Sequence, residues 1–257
     1  MKLLLLLCAL AMPLIAGLSE RGLFGPTHAT LSDSYPTLLA AAGYTVSIWW
    51  LICALDLLLG LRQFWQRRAS ESLRLARPSI AVGFALSAAW MVAFPMQYFM
   101  LALAILWGAL ACLLHAALPL MRERGAWGFR AALNLHAGWL SLAVFLNTAQ
   151  VIVAHQLFNV ERMLPWSLLL WGLAALLLFL LNRLLRGHWA YVAALLWGLL
   201  GVQLQQSRSS LAGADVSAGV ALGLAALLAL QTLWLWWQGW RGRRQRRGGE
   251  ITLVNLR

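Results

Sequence analysis

The feature that most constrains this chain is a succession of apolar runs, each about as long as a helix that crosses a bilayer and each bounded by arginine or turn residues. A spanning helix needs about 20 apolar residues, and the runs predict spans over 3–18, 38–61, 79–95, 97–120, 130–154, 164–182, 188–204 and 217–238. The expected fold class is therefore all-α, a polytopic transmembrane bundle of about eight helices. Composition agrees, because a chain of 257 residues that is 62% hydrophobic and 11% charged has too little polar surface to cover a water-soluble globule. The first run also has signal-peptide length, but IAGLSERG after Leu14 lacks a small-x-small cleavage site, so a retained helix is expected. The seventh is short and ends in Gln203, Gln205 and Gln206.

A net charge of +12 raises the question of nucleic acid, and the position of the charges answers it in the negative. The basic residues lie between or at the ends of the runs, with no aromatic-interleaved basic face and no zinc-finger spacing. With eight spans and both termini cytoplasmic, only Arg21, Arg162 and Arg208 of the 20 basic residues fall on the outer side. The loop 62–78, holding Arg62, Arg67, Arg68, Arg74 and Arg77, and the tail 241–257, holding Arg241, Arg243, Arg244, Arg246, Arg247 and Arg257, are expected to lie on anionic lipids. Arg122, Arg124, Arg130, Arg183 and Arg186 share that face.

Tryptophan occurs 15 times. Trp234, Trp236, Trp237 and Trp240 stand just before the RGRRQRR run and read as an interfacial anchor; Trp65, Trp127, Trp166 and Trp189 also lie near predicted span ends. Trp49, Trp50, Trp90, Trp107, Trp139 and Trp171 fall within spans, where such rings either fill space between helices or wall a cavity for a flat apolar ligand.

Three segments carry a family resemblance: DSYPTLLAAAGYTVSIWWLI (33–52), FALSAAW (84–90) and LNLHAGWLSLAVFLN (133–147). In order and spacing they resemble the TspO/MBR family, the translocator or tryptophan-rich sensory proteins, over roughly residues 30–150. The resemblance implies a five-helix unit over 1–155, three additional transmembrane helices over 156–240 and the basic tail. It further implies a bacterial inner membrane and a planar hydrophobic ligand, with a tetrapyrrole such as porphyrin or haem, or a sterol-like lipid, as candidates and no required cofactor. Trp49, Trp90, Trp139 and Asn147 fit the family pattern. Ala41, Cys53, Ser87 and His136 depart from it, standing where proline, tyrosine, asparagine and tyrosine are expected. The expected ligand site is a pocket walled by Tyr44, Trp49, Trp90 and Trp139, with Asn147 and His136 orienting the ligand's polar edge.

Apart from any family, intramembrane polar groups are functional candidates because burying them in lipid is costly. Asp56, His115 and His136 fall at comparable depth near the cytoplasmic side, as a polar cluster or, singly, with Asp56 paired to Arg62 and each histidine on a neighbouring carbonyl. Asn147 reads as an interhelical hydrogen-bonding residue as much as a ligand contact. Cys8, Cys53 and Cys112 are small core residues, and no metal-ligand spacing is present. Gly219-x-x-x-Gly223 is expected to seat another helix of the same chain, with a homodimer as its alternative use. No Ser-His-Asp set on one side, paired carboxylates or phosphate loop was found. The resemblance favours a non-enzymatic binding, sensory or carrier protein. The alternatives are a secondary transporter or channel, against which stands the lack of an internal repeat, and a membrane enzyme acting on porphyrins through Trp139 or His136.

Overall fold

The computed structural model describes residues 1–65, 70–123 and 126–254, with residue 65 and residues 242–254 described by backbone alone. Expectations resting on Arg67, Arg68, Arg124 and Arg257, and on the side chains of Trp65, Arg243, Arg244, Arg246 and Arg247, lie outside the described residues. Within them the fold is all-helical: α1 (Lys2–Glu20), α2 (His28–Ser34), a 3-10 turn (Gly43–Ser47), α3 (Ile48–Trp65), α4 (Glu71–Ala93), α5 (Phe99–Leu120), α6 (Trp127–Ala154), α7 (Met163–Leu184), α8 (Trp189–Gln206) and α9 (Ala214–Val254). Seven of these are long and apolar enough to cross a membrane. Helix α8 forms where the seventh span was expected, but its terminal glutamines keep it out of that set.

The bundle is organised around α6, which packs against α3, α5, α7 and α8 and is buried along most of its length. Helix α1 lies against α3 and α4 through Leu5, Ala9, Met12 and Ala16, one stripe at helical spacing. Small residues set the closest approach. A Cβ at Gly138 of α6 would stand 2.5 Å from the Tyr191 carbonyl oxygen, and one at Gly198 of α8 2.5 Å from Leu142 Cδ2, so α6 and α8 meet almost backbone to backbone.

Four expectations need correction. The second span does not begin near 38. Residues 35–42 are not helical, and α3 starts at Ile48. Pro36 prevents α2 from running on, and the next residues sink into the bundle with their backbone satisfied by distant groups. Gln206 Nε2 donates to the carbonyls of Thr37 at 3.1 Å and Ala40 at 3.0 Å, the Ala42 amide donates to Gly201 O at 3.0 Å, and the Ser217 hydroxyl donates to Leu38 O. The third span starts earlier than 79. Ser70 caps α4 by accepting from the Leu73 amide, Glu71 suits the helix N-terminus, and the second half of the expected loop 62–78 is α4's first turns.

Among the described residues no atom lies within 4 Å of a Cβ built at Gly219 or Gly223, so neither seats a described helix. The packed face of α9 is instead Ala214, Ala218, Ala221, Ala225 and Leu228, and both glycines are exposed. Trp50 and Trp107 do not fill the core; both are exposed on the bundle's outside, and Trp50 also edges a small hollow that it shares with Trp49 and His28. Among the expected anchor residues, Trp236 Nε1 donates to Gly187 O at 2.7 Å, and the Arg241 guanidinium lies 3.6 Å over the Trp237 ring.

Candidate ligand-binding pocket

A cavity of about 310 Å³ opens at the end of the bundle where α1 ends and α3 begins. Its floor and one wall come from α6, where Trp139, Ala143, Asn147 and Gln150 recur every three or four residues and so share a face. The unwound segment supplies Ala40, Ala41, Thr45 and Val46, α3 supplies Trp49, and the end of α4 supplies Trp90 and Phe94. Helix α2 covers the mouth with His28, Ser32 and Asp33. Its N-cap is Thr27, whose hydroxyl accepts from the Thr30 amide at 3.4 Å.

Flat rings build the interior. Trp49 and Trp90 stack with centroids 5.5 Å apart and planes 23° from parallel; His28 continues the stack at 5.0 Å from Trp90 and 5.1 Å from Phe94. Trp139 crosses edge-on to Trp49 at 6.5 Å. Trp90 Nε1 donates to Asn147 Oδ1 at 3.1 Å, tying α4 to α6, while Asn147 Nδ2 donates to Ala143 O at 3.0 Å. Asn147 thus acts across helices and also lines the cavity. Burial between aromatic rings pushes the His28 imidazole down to about 4, because the charged form loses its water there.

Of the six residues expected at the site, Trp49, Trp90, Trp139 and Asn147 share the cavity wall; Tyr44 and His136 lie outside it. Tyr44 sits on the outer surface, edge-on to Trp197 at 5.0 Å. His136 is one helical turn from Trp139, but the Trp49 ring, 5.7 Å away, stands in front of it.

His136 instead belongs to a closed polar line joining three helices. Its Nδ1 lies 2.7 Å from Asp56 Oδ2 and its Nε2 3.1 Å from Ser87 Oγ, all three side chains being wholly buried. Ser87 donates its own proton to Gly83 O at 2.9 Å, so its oxygen is left to accept from the ring Nε2. The sequence expectation of no Ser-His-Asp set on one side is therefore corrected: α3, α4 and α6 bring one together. With Ser87 sealed away from the cavity, the line has no place for a substrate and is an interhelical clasp rather than a hydrolytic triad. Asp56 pairs with His136 and not with Arg62. His115 stays apart, bonded to Ser79 at 3.0 Å. With both nitrogens engaged, His136 does not fit the role of a haem-iron ligand.

Sequence reasoning missed His28, Ser32, Asp33, Phe94, Gln150 and Gln205. Gln150 and Phe94 carried a signal, since each continues the helical stripe of an expected site residue. The α2 residues reach the mouth only through tertiary docking, which leaves no local mark. Gln205, from a helix expected to be an addition, shows that the pocket extends past a boundary at residue 155.

The apolar helices and the family to which the chain belongs make it a multi-pass membrane protein of the ligand-binding or sensory class. The chain belongs to the TSPO-like protein family, whose model matches residues 2–234, well beyond the stretch that carries the motifs. No curated protein and no solved structure matches the chain.

Proposed function

We propose that the chain binds a planar hydrophobic ligand, such as a tetrapyrrole or a sterol-like lipid, between Trp49, Trp90 and Trp139, and serves as a membrane sensor or carrier for it. The observation that carries this is the stack of His28, Trp90 and Trp49 along one side of the cavity, with Trp139 crossing it. Parallel rings offer a flat face to a flat guest, and apolar burial supplies most of the affinity. The volume of about 310 Å³ is near the low end of ligand pockets, so a large macrocycle would sit partly in the mouth. We further propose a bacterial inner membrane with both termini cytoplasmic, on the strength of the one-sided arginines, and anionic lipids against that face.

Purified protein titrated with protoporphyrin should show saturable quenching of tryptophan fluorescence. Trp139→Ala, still folded by circular dichroism, should weaken it about tenfold. Quenching that never saturates and ignores the substitution means partition into detergent and rejects the site.

A further inference from the structure

The end of the bundle opposite the aromatic cavity carries most of the arginines, and three of them converge. Helices α5 and α7 both pack on α6, and a hollow of about 900 Å³ is lined from both of their C-terminal ends, with Arg122, Arg183 and Arg186 in its wall. Arg183 and Arg186 also line a second hollow of about 550 Å³, whose other side is Trp236, Gln238 and Gly239 of α9. These two arginines therefore form a partition with a space on either side.

The backbone fixes where the partition stands. Arg186 has a φ of 56° and Gly187 one of 65°, both left-handed, a conformation that strains a residue with a Cβ. Bonds on both sides hold it: the Gly187 amide donates to Asn182 O at 2.8 Å, and Trp236 Nε1 donates to Gly187 O at 2.7 Å. Among the described residues none of the three arginines makes an ion pair. Glu123, the acid in the first hollow, has its carboxyl held below the usual carboxylate range by the hydroxyls of Ser72 and Ser70 at the start of α4, so its charge is met there. Arg130 adds a positive charge behind the wall, its Nη1 donating to the carbonyl of Met121, a lining residue, at 3.5 Å. Below the cations the surface is apolar. Leu118 and Leu184 line the first hollow, and Leu184 is exposed, as are Leu180, Leu176 and Leu173 on the same face of α7. Arginines at the head of a membrane-facing leucine stripe match a phospholipid, with phosphate at one end and acyl chains at the other.

We infer that this arginine partition is the headgroup site of an acidic phospholipid with two phosphates, one seated in each hollow, whose chains run along α7. The inference deepens the reading that anionic lipids lie against this face, replacing a general attraction by one site and one class of lipid. Each guanidinium offers a planar fork of N–H donors that matches phosphate oxygens. A lipid with a single phosphate fills one hollow. Two phosphates joined through a glycerol span the partition and engage Arg183 and Arg186 from both sides.

The test is native mass spectrometry of the full chain released from detergent micelles, titrated with diphosphatidylglycerol, phosphatidylglycerol or phosphatidylcholine. Diphosphatidylglycerol should bind saturably and about tenfold more tightly than phosphatidylglycerol, with phosphatidylcholine weakest. Arg183→Gln combined with Arg186→Gln should erase that tenfold preference. Arg62→Gln combined with Arg74→Gln, which removes the same charge from the same face outside both hollows, should keep it. All four side chains are exposed, and circular dichroism checks that each variant is folded. Equal losses in the two double variants overturn the site and leave only general attraction. Equal retention of the one-phosphate and two-phosphate lipids overturns the assignment of a phosphate to each hollow. Inorganic phosphate at matched ionic strength should not displace the lipid; displacement would make a free anion the occupant and overturn the lipid assignment. If neither acidic lipid is held better than phosphatidylcholine, the site fails together with the reading of the whole face, a result distinct from the others.

Discussion

His136 and Trp139 stand one turn apart on α6 and are both almost completely buried, yet they end in opposite circumstances. At His136 the chain answers every ring nitrogen itself, with Asp56 from α3 and Ser87 from α4. At Trp139 the ring lines a hollow, and its buried indole N–H has no hydrogen-bond partner among the described residues. The lesson is that one helix serves two ends of the molecule differently: the first region closes its polar groups into a clasp between three helices, and the second turns aromatic rings toward a hollow.

The largest effect that sharpens this contrast is on stability. Asp56→Ala strips the partner from a buried histidine and should cost about 3–5 kcal/mol, measured by denaturant unfolding in micelles. Trp139→Phe removes a donor that satisfies nothing and should change stability by less than about 1 kcal/mol, in either direction. Comparable losses for the two would erase the distinction between clasp and pocket.

Next in size is a pair of glycines. A Cβ at Gly201 would lie 2.0 Å from Thr45 Cγ2, and Thr45 is fixed by its hydroxyl on Ala42 O at 2.7 Å and by Trp197 Nε1 on its carbonyl at 3.3 Å. Gly201→Ala should push the unwound wall away, costing about 1–3 kcal/mol and weakening ligand binding. At the clasp end, a Cβ at Gly83 would meet Leu113 Cδ2 at 2.8 Å, the flexible end of a side chain. Gly83→Ala should cost less than about 1 kcal/mol and leave ligand affinity intact, as thermal unfolding and the quenching titration would show.

The smallest effect concerns the mouth. The His28 imidazole titrates at about 4 when α2 is docked and near 6.5 when it is free, so the undocked state takes up a proton first. Docking of α2 is therefore fully supported above pH of about 6.5 and is progressively lost as pH falls toward 4. Amide exchange in α2, corrected for its intrinsic pH dependence, should be faster at pH 5 than at pH 7. In His28→Phe that difference should disappear.

Much of the bundle was legible because hydropathy reports membrane-length helices directly, and the helices lie close to where the runs predicted them. The start of α3 was not. Its LLAAAG lead-in is as apolar as a helix, and nothing local announces that Gln206 and Ser217, far along the chain, will satisfy its carbonyls. The tryptophan and asparagine walls of the pocket were readable from the motif segments. His136 was read as a ligand contact because depth along a helix is visible in sequence while the ring standing in front of it is not. Depth did bring Asp56 and His136 to the same level, but Ser87 was read only as a departure from the family's asparagine and not as a partner for them. Gly219 and Gly223 mark where a helix can approach, and a sequence does not say whether one does.

The central claim is that the hollow between Trp49, Trp90 and Trp139 exists to hold a flat guest. A structure determined in lipid nanodiscs with saturating protoporphyrin tests it most directly. The account predicts planar density in the hollow, packed against the Trp49, Trp90 and Trp139 rings. Density found only on the lipid-facing surface, with the hollow collapsed or filled by side chains, would contradict it.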